Sequence, residues 1–167
     1  LRGVSSADAA LTQEEIRSLV LEGQYFRGKH RALLANLFDL EHATVDDVMT
    51  PRHQIHALDL AERPAALREQ LATSFHTRLP VCEHSLDNVL GTVRAADLLS
   101  VAMKNSPITL RSLIKEPLFV PDSMGIFKLF EALKASHRHL AIVLDEFGAV
   151  EGLVTVTDLL EAFVGSL

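Results

Sequence analysis

The chain has 167 residues, 48% of them hydrophobic, which is enough for an ordinary buried core in one domain or in two small halves packed together. Its 16 lysines and arginines against 22 aspartates and glutamates give a net charge of −6, which argues against binding to the phosphate backbone of nucleic acids. The single cysteine cannot form an internal disulfide, and no apolar run reaches the roughly 18 to 20 residues of a membrane-spanning helix. The chain begins at Leu1 rather than Met, so we expect it to be a piece of a longer protein.

Two helices are predicted at the start of the chain. Thr12 followed by Glu15 is a capping-box pattern that begins a helix, and Gly23 ends it. A second helix with one apolar face is predicted at 29–40. We assign residues 1–43 to an N-terminal helical connector, which either packs against the rest of the chain or a partner, or transmits motion to a domain outside this sequence.

The next segment, 44–104, is predicted to fold in the order strand, helix, strand, strand, helix. A short capped turn precedes these elements and stops before Pro51, because the residue before a proline avoids the helical region. Pro64 suits the first position of a helix. The predicted elements are a strand at 54–58, a helix at 64–72, a strand at 77–82, a turn at 85–88, a strand at 89–93 and a helix from about Ala95.

The last segment, 105–167, repeats this order after a polar break at 104–107. Gly91 and Asp97 recur as Gly152 and Asp158, each 61 residues later, so the chain contains two copies of one supersecondary unit. The predicted elements of the second copy are a strand at 118–120, a helix at 123–135, a strand at 140–144, a turn at 145–148, a strand at 150–154 and a helix at 159–164.

The repeated segment ends in a corner that can hold a polar ligand. Thr155 and Asp158 lie where a strand meets a helix, which places a hydroxyl, a carboxylate and free backbone N–H groups beside one another. Gly152 would let a flat ring or a ribose approach the backbone, and Asp158 would accept hydrogen bonds from ribose hydroxyls. The same spacing is also a capping box that only begins a helix. The first copy has Arg94 in place of Thr155, and because losing a cap costs about 1 kcal/mol, we expect the two corners to have diverged in role.

Four segments carry a resemblance to a known family: 48–52, 77–81, 143–148 and 152–158. In this order, on top of the internal repeat, they resemble the paired cystathionine-β-synthase (CBS) modules that bind adenine nucleotides. The finer resemblance is to the CorC/HlyC-type, hemolysin-like transport proteins, which are relatives of the cyclin M magnesium transporters. It implies an α+β fold of two tandem CBS units (β-α-β-β-α), at 44–104 and 105–167, packed as a pseudo-twofold CBS pair and preceded by N-terminal helices.

The resemblance also implies a function. It implies a non-catalytic regulatory module that senses ATP or AMP, with any Mg²⁺ bound through the nucleotide phosphates, in a protein that transports Mg²⁺ or Co²⁺. It further implies a homodimer through the CBS modules, an integral-membrane transport domain in the same protein, and a location on the cytoplasmic side of the inner membrane. The alternative is a structural dimerisation module that binds no nucleotide. An enzyme is disfavoured because the sequence offers no set of nucleophile, base and orienting acid.

The site residues that the resemblance implies fall into two groups. In the main site, backbone groups near Pro80 read the adenine, Asp158 reads the ribose, and Arg52 or Arg78 faces the phosphates. A second, weaker site is expected, either weakened by Arg94 or closed by its pairing with Asp97. The main site comprises Thr50, Pro51, Arg52, His76, Arg78, Leu79, Pro80, Gly152, Thr155 and Asp158, and the second comprises Gly91, Arg94, Asp97, Pro121, His139 and Leu140.

Three other features have structural interpretations. His137 and His139 could ligate a metal, but no cysteine or carboxylate completes a ligand set in sequence, so we expect a structural role. The Asp-Glu-Phe-Gly segment at 145–148 is predicted to be a tight turn. Cys82 lies in an apolar strand and is expected to be an inert, buried thiol.

Overall fold

The computed structural model of the protein describes residues 11–24, 26–103 and 110–165, which form a mixed α and β fold. The predicted polar break at 104–107 lies outside the described residues. Within the described ranges the elements are α1 Gln13–Glu22, α2 Lys29–Asp39, β1 Thr50–Pro51, β2 Leu58–Asp59, α3 Pro64–Thr73, β3 Arg78–Glu83, β4 Ser85–Arg94, α4 Ala95–Met103, β5 Leu118–Pro121, α5 Ile126–Ser136, β6 Leu140–Leu144, β7 Val150–Thr155 and α6 Val156–Val164.

Most of the predicted elements are confirmed. The capping box of α1 is present, with the Thr12 N–H donating to Glu15 Oε2 at 2.7 Å and the Glu15 N–H donating to Thr12 Oγ1 at 3.3 Å. The turn between β6 and β7 is closed by the Asp145 N–H, which donates to the Ala149 carbonyl at 2.9 Å. Helix α5 begins three residues later than predicted, because the Met124 N–H donates to the Pro121 carbonyl in a preceding turn.

Two predictions in the first unit are wrong. The strand expected at 54–58 is a single turn of 3₁₀-helix at Arg52–Gln54 followed by the two-residue β2. The turn expected at 85–88 lies one position earlier, at His84, whose φ of 67° reverses the chain so that β4 starts at Ser85. Asp59 fixes this reversal, since its Oδ1 accepts from the His84 N–H at 2.9 Å. Residues of the Ser-x-Asp-Asn type favour turns but do not specify which residue adopts the left-handed conformation.

The two sheets share one strand pattern, which confirms the internal repeat. In the three-stranded sheet the order is β2-β3-β4, with β2 parallel to β3 and β3 antiparallel to β4. In the four-stranded sheet, β5, β6 and β7 have the same arrangement, and β1 adds to the edge of β7 in antiparallel register. The extra strand comes from the beginning of the first unit, before β2.

The first residues of each unit pack against the other unit. Val45 is fully buried in the core of the second unit, and its N–H donates to the Met124 carbonyl at 2.8 Å. Ile114 packs against the core of the first unit, and Lys115 exchanges backbone hydrogen bonds of 2.8 and 2.9 Å with Thr92. The divisions at residues 44 and 105 stay predictions, and the packing crosses both of them.

The two sheets meet through apolar side chains. One buried cluster comprises Leu140, Ile142, Val150 and Leu153 from β6 and β7, and Val89 of β4 packs against it. This burial holds the units together because apolar surface is removed from water. None of the helices in the described ranges is both long and apolar enough to cross a bilayer.

Helix α2 packs against the body of the chain at α6, and α1 packs against α2. Asn36 Nδ2 donates to two carbonyls at the end of α6, those of Ala162 at 2.5 Å and Phe163 at 2.8 Å. These carbonyls lack partners within the helix, so Asn36 satisfies the C-terminus of α6. Packing of the connector is therefore observed, and transmission of motion stays a prediction.

Candidate functional site

A cleft of about 390 Å³ lies between the two units and is lined by both of them. Its volume falls in the range of about 300 to 1,000 Å³ that is usual for small-molecule sites. The described residues that line it are Thr50, Gln54, Ile55, His56, Phe75, His76, Thr77, Arg78 and Pro80 from the first part of the chain, and His139, Leu140, Leu153, Thr155, Val156, Thr157 and Asp158 from the second.

The corner at the start of α6 both caps the helix and lines the cleft. The Thr155 N–H and Oγ1 donate to Asp158 Oδ2 at 2.7 and 2.8 Å, and the Asp158 N–H donates to Thr155 Oγ1 at 3.2 Å. The capping interpretation of this spacing is confirmed. The other carboxylate oxygen, Asp158 Oδ1, has no hydrogen-bond partner among the described residues, so it remains available to accept from a ligand.

The opposite wall comes from the segment that leads into β3. Its lining residues are Phe75, His76, Thr77, Arg78 and Pro80. Leu79 instead packs in the core of the first unit, where it is only 2% exposed. The Leu79 side chain does not line the described cleft, and adenine recognition by backbone groups around Leu79 and Pro80 stays a prediction.

Arg52, one of the two arginines expected to face phosphates, is placed elsewhere. Its guanidinium pairs with the Asp87 carboxylate, with contacts of 2.5 and 3.0 Å, and donates to the Val150 carbonyl at 2.9 Å. Hydrogen bonding to Arg52 lowers the pKa of Asp87 from 3.8 to about 2. Neither Arg52 nor its neighbour Pro51 is among the described residues that line the cleft. Of the two arginines predicted for the main site, Arg78 is the one that lines the cleft.

Gly152 serves strand packing rather than ligand approach. A Cβ at this position would lie 2.6 Å from both the Met49 sulfur and the Thr50 carbonyl oxygen, because β1 lies directly alongside β7 and pairs with it. Gly91 shows the same relationship in the first unit, where a Cβ would lie 2.2 Å from the Lys115 carbonyl oxygen. The close approach of Thr50 to Gly152 and of Lys115 to Gly91 therefore explains the repeated glycine, and the expected approach of a ring or ribose to Gly152 is wrong.

Sequence reasoning missed the aromatic part of the cleft. Phe75 is fully exposed, with a relative accessibility of 101%, although it is a large apolar side chain. Beside it, the rings of His56 and His76 lie with their centroids 5.3 Å apart. The sequence could have indicated this position, because Phe75 follows the predicted helix at 64–72 and belongs to no apolar stripe of a predicted helix or strand.

A second cavity of about 350 Å³ includes part of the predicted weaker site. Arg94, His139 and Leu140 line it, and the last two line the main cleft as well. Gly91, Asp97 and Pro121 are absent from its described lining. The expected pairing of Arg94 with Asp97 is present only as a 3.9 Å contact between exposed side chains. A contact of this kind is weak and does not close the cavity.

The remaining predictions concern Cys82 and the histidines. Cys82 is buried, and burial raises the pKa of its thiol, which confirms the expectation of an unreactive side chain. His137 adopts the left-handed conformation with φ of 54° and ends α5, where its N–H donates to the Lys134 carbonyl at 3.3 Å. This helix-ending position accounts for His137 structurally.

Comparisons with known proteins agree with this architecture. The CBS domain family model matches residues 110–165. The chain is 36% identical over 163 residues to the UPF0053 protein YegH of Escherichia coli K12, covering 96% of this chain and 31% of YegH. A CBS domain of a bacterial CNNM/CorC family Mg²⁺ transporter, solved in complex with ATP, superposes with a TM-score of 0.75 at 31% identity, covering 84% of this chain and all of that one.

A CBS-domain pair with bound AMP from Klebsiella pneumoniae is also similar, with a TM-score of 0.68 and 28% identity over 73% of this chain and 98% of that chain. The chain spans about a third of the length of YegH, one of its curated relatives. The ATP-bound relative is matched over its whole length at more than 30% identity. With its repeated units and the cleft between them, the chain belongs to the CBS-domain modules of the CNNM/CorC family.

Proposed function

We propose that this chain is a non-catalytic regulatory module of a Mg²⁺ or Co²⁺ transport protein, and that it binds ATP or AMP in the cleft between its units. The observation that carries the proposal is the Asp158 carboxylate, which lines the cleft with Oδ1 unpaired among the described residues. ATP bound to a relative of the same fold supports the ligand class.

Each part of the nucleotide finds a matching group in the cleft. Asp158 Oδ1 accepts hydrogen bonds from the ribose hydroxyls, because an ionised carboxylate only accepts. The exposed ring of Phe75 offers an apolar face on which adenine stacks. Arg78 donates to the phosphates, a geometry for which its planar guanidinium is suited.

Magnesium enters this proposal with the nucleotide. A triphosphate brought to a chain of net charge −6 meets overall repulsion unless a cation accompanies it. Mg²⁺ prefers oxygen ligands and keeps several waters, so phosphate oxygens provide its main contacts. The binding of ATP is therefore expected to be stronger when Mg²⁺ is present, and the binding of AMP to be less affected.

Helix α6 connects the cleft to the N-terminal helices. It starts at the capped corner that contains Asp158 and ends where Asn36 of α2 donates to its last carbonyls. A nucleotide that bridges both units favours one arrangement of them, and α6 passes that preference to α2. The connector then passes it to a membrane-embedded transport domain of the same protein, which places this module on the cytoplasmic side of the inner membrane.

The module also forms a homodimer in this proposal. Helices α4 and α6 carry exposed apolar side chains, with Leu99 62% and Leu160 50% exposed. Burial of such side chains between two copies removes apolar surface from water. The alternative function, dimerisation without nucleotide, uses the same helices and predicts no response to any nucleotide.

Calorimetry with a matched pair of variants tests the proposal. Wild type is titrated with AMP, ADP and ATP, with and without Mg²⁺, alongside Asp158→Asn and Asp47→Asn. Asp47 is a matched control because its Oδ2 accepts from the Thr44 N–H at 2.8 Å in a similar cap, and it does not line the described cleft. Hydrogen bonds to charged groups contribute about 1.5 to 3 kcal/mol, so Asp158→Asn should weaken binding by roughly tenfold or more.

The control separates recognition from stability, since both variants perturb a capped turn. Asp47→Asn is expected to bind nucleotides as wild type does. If no adenine nucleotide binds the wild type under any of these conditions, while the chain still dimerises, the alternative function replaces this one.

A further inference from the structure

We propose that His56 and His76 form a site for an exchangeable transition-metal cation of the Co²⁺, Ni²⁺ or Zn²⁺ type. We call these two residues the histidine pair. Their rings lie with centroids 5.3 Å apart and with planes inclined at 31°. Binding at the histidine pair requires no nucleotide, so it is independent of the proposed function.

The fold brings the histidine pair together at one edge of a sheet. His56 lies two residues before β2, and His76 lies two residues before β3. Because β2 and β3 are parallel, the segments that enter them meet at the same edge. Backbone hydrogen bonds fix both approaches: the Ile55 N–H donates to the Arg52 carbonyl at 3.1 Å, and the His76 N–H donates to Ser74 Oγ at 3.2 Å.

The spacing of the two rings suits two ligands of one ion. A Zn–N bond of about 2.1 Å places the ion roughly 3.2 Å from the centre of an imidazole ring. Two rings that share a tetrahedral ion then have centroids about 5.2 Å apart, and the histidine pair has 5.3 Å. Aromatic contacts without an ion span about 4.5 to 7 Å, so a binding measurement has to distinguish the two.

The ring nitrogens of the histidine pair are not used by the fold. Both residues are exposed, and among the described residues neither ring has a hydrogen bond or an ion pair. His53 differs, because its Nε2 lies 3.3 Å from Gln54 Nε2. A neutral imidazole has one nitrogen that accepts, so each ring of the pair can bind a cation.

The histidine pair lies between two open spaces. Both residues line the main cleft, and both also line a third cavity of about 310 Å³. Uncharged oxygen-bearing side chains, those of Gln70, Thr73 and Ser74, line the third cavity beside them. An ion at the pair is therefore reachable from solvent and has room for water ligands.

The number of protein ligands makes this an exchangeable site. Across the described ranges, no group of three or more histidines, cysteines and carboxylates could hold a metal ion. Two imidazoles leave the other coordination positions to water, whereas structural zinc sites have four protein ligands. The histidine pair therefore suits an ion that binds and leaves with its concentration, rather than a resident cofactor.

The ligand type determines the class of cation. Imidazole suits zinc, copper and nickel, while Mg²⁺ prefers oxygen ligands in octahedral geometry. Affinity for a given nitrogen site rises from Co²⁺ to Ni²⁺. The histidine pair should therefore bind Ni²⁺ more tightly than Co²⁺ and should not respond to Mg²⁺.

The charges near the histidine pair permit a cation. Arg78 lines the main cleft and opposes a cation there, and Asp158 in the same lining offsets it. None of the described residues that line the third cavity is a lysine, arginine, aspartate or glutamate. The net charge of −6 favours the approach of cations to the chain as a whole.

Calorimetry without nucleotide tests this inference. Ni²⁺, Co²⁺, Zn²⁺ and Mg²⁺ are titrated separately into wild type, His56→Gln, His76→Gln and His30→Gln in a buffer that does not bind metals. His30 is a matched control because it is an exposed histidine of α2 that lines neither the main cleft nor the third cavity. Melting curves without metal establish that each variant is folded, and both residues of the pair are exposed, so their replacement leaves no hole in the core.

The expected result is a loss confined to the histidine pair. Replacing even an outer partner of a metal ligand costs about 10- to 100-fold in affinity, so His56→Gln and His76→Gln should each bind Ni²⁺ and Zn²⁺ roughly tenfold or more weakly. His30→Gln should bind as wild type does. Binding to wild type should weaken as the pH falls, because protons compete for the ring nitrogens.

Nuclear magnetic resonance provides a second readout that does not depend on stability. Co²⁺ is paramagnetic, so substoichiometric Co²⁺ should perturb the ring signals of both histidines of the pair together. Perturbation of the His137 and His139 signals instead, with those of the pair unchanged, would place the ion elsewhere and overturn the inference. Equal Ni²⁺ affinity in His76→Gln and His30→Gln, or no binding of any transition-metal ion to wild type, would overturn it as well.

Discussion

Arg52 and Asp87 form a two-point ion pair that, through Val150, joins the two sheets, with Nη1–Oδ1 at 2.5 Å and Nη2–Oδ2 at 3.0 Å. Asp87 lies in β4 of the first sheet, and its Oδ1 also accepts from the Val150 N–H at 3.3 Å, at the start of β7 in the second sheet. Arg52 donates to the carbonyl of the same residue. This pair is a clasp between the sheets, and it explains why Arg52 does not line the cleft.

The clasp predicts that the difference in stability between wild type and Asp87→Asn depends on pH. The pKa of Asp87 is about 2 in the folded protein against an ordinary value of 3.8. Because the folded value is the lower one, the stabilisation is fully present above about pH 4 and is lost as the pH falls through about 2. Wild type should therefore be the more stable near neutral pH, and the gap in urea midpoint should narrow between about pH 4 and pH 2.

Asp46→Asn is the control for this prediction, because Asp46 is an exposed carboxylate with no ion pair among the described residues. Its urea midpoint should follow that of wild type at each pH. A gap between wild type and Asp87→Asn that is unchanged at the lowest pH would show that the carboxylate charge does not stabilise the clasp.

Gly152→Ala should destabilise the fold, whether or not nucleotide is present. The added methyl group would meet the Met49 sulfur and the Thr50 carbonyl oxygen, each 2.6 Å away, and the backbone oxygen cannot swing aside. Overpacking of this kind costs about 1 to 3 kcal/mol, measurable by chemical denaturation. Gly125→Ala is the control, since a Cβ there meets nothing within 4 Å. A Gly152→Ala protein of normal stability that no longer binds nucleotide would return Gly152 to the ligand site.

Phe75→Ala should weaken adenine nucleotide binding without lowering stability. The ring is fully exposed at the cleft, so its removal leaves no hole in the core. Stacking of a base on an aromatic ring contributes about 1 to 3 kcal/mol by alanine substitution, which calorimetry resolves. Phe147→Ala removes a ring that is 87% exposed in the turn before β7 and does not line the described cleft. Equal nucleotide affinity in these two variants would remove Phe75 from the adenine site.

The repeat and the helices were predictable because each has a local signal. The capping pattern at Thr12 identifies the start of α1 correctly, and the offset between Gly91 and Gly152 identifies the duplicated unit. The pattern at Thr155 marks the start of α6, which begins at Val156, three residues before the predicted start at 159. These signals depend on residues a few positions apart, so no knowledge of tertiary packing is needed. Two strands of the repeat, β6 and β7, also lie where their apolar runs predict them.

The errors arise where distant residues meet. The role of Gly152 depends on a strand 100 residues earlier in the chain, and the partner of Arg52 lies 35 residues later. A motif can place Arg52 near a site but cannot show that Asp87 has already engaged its guanidinium. The burial of Leu79 could have been predicted, because side chains alternate between the two faces of β3 and its neighbours Arg78 and Pro80 were assigned to the cleft. The four cations that line the second cavity, Arg78, Arg94, Lys115 and Arg138, come from four separate segments, which no local pattern links.

Asn36→Ala should uncouple the N-terminal helices from the cleft. Its side chain amide makes two hydrogen bonds to the end of α6, at Ala162 and Phe163, and losing them should lower stability by about 1 to 2 kcal/mol. If α6 carries the signal, nucleotide should slow amide hydrogen exchange in α2 of wild type. In Asn36→Ala, nucleotide affinity should be kept while this protection of α2 is reduced. Asn88→Ala is the control, because Asn88 Nδ2 donates to the Glu83 carbonyl at 3.2 Å within the first unit. Protection of α2 that is equal in both variants would mean that the cleft and the connector communicate by another route.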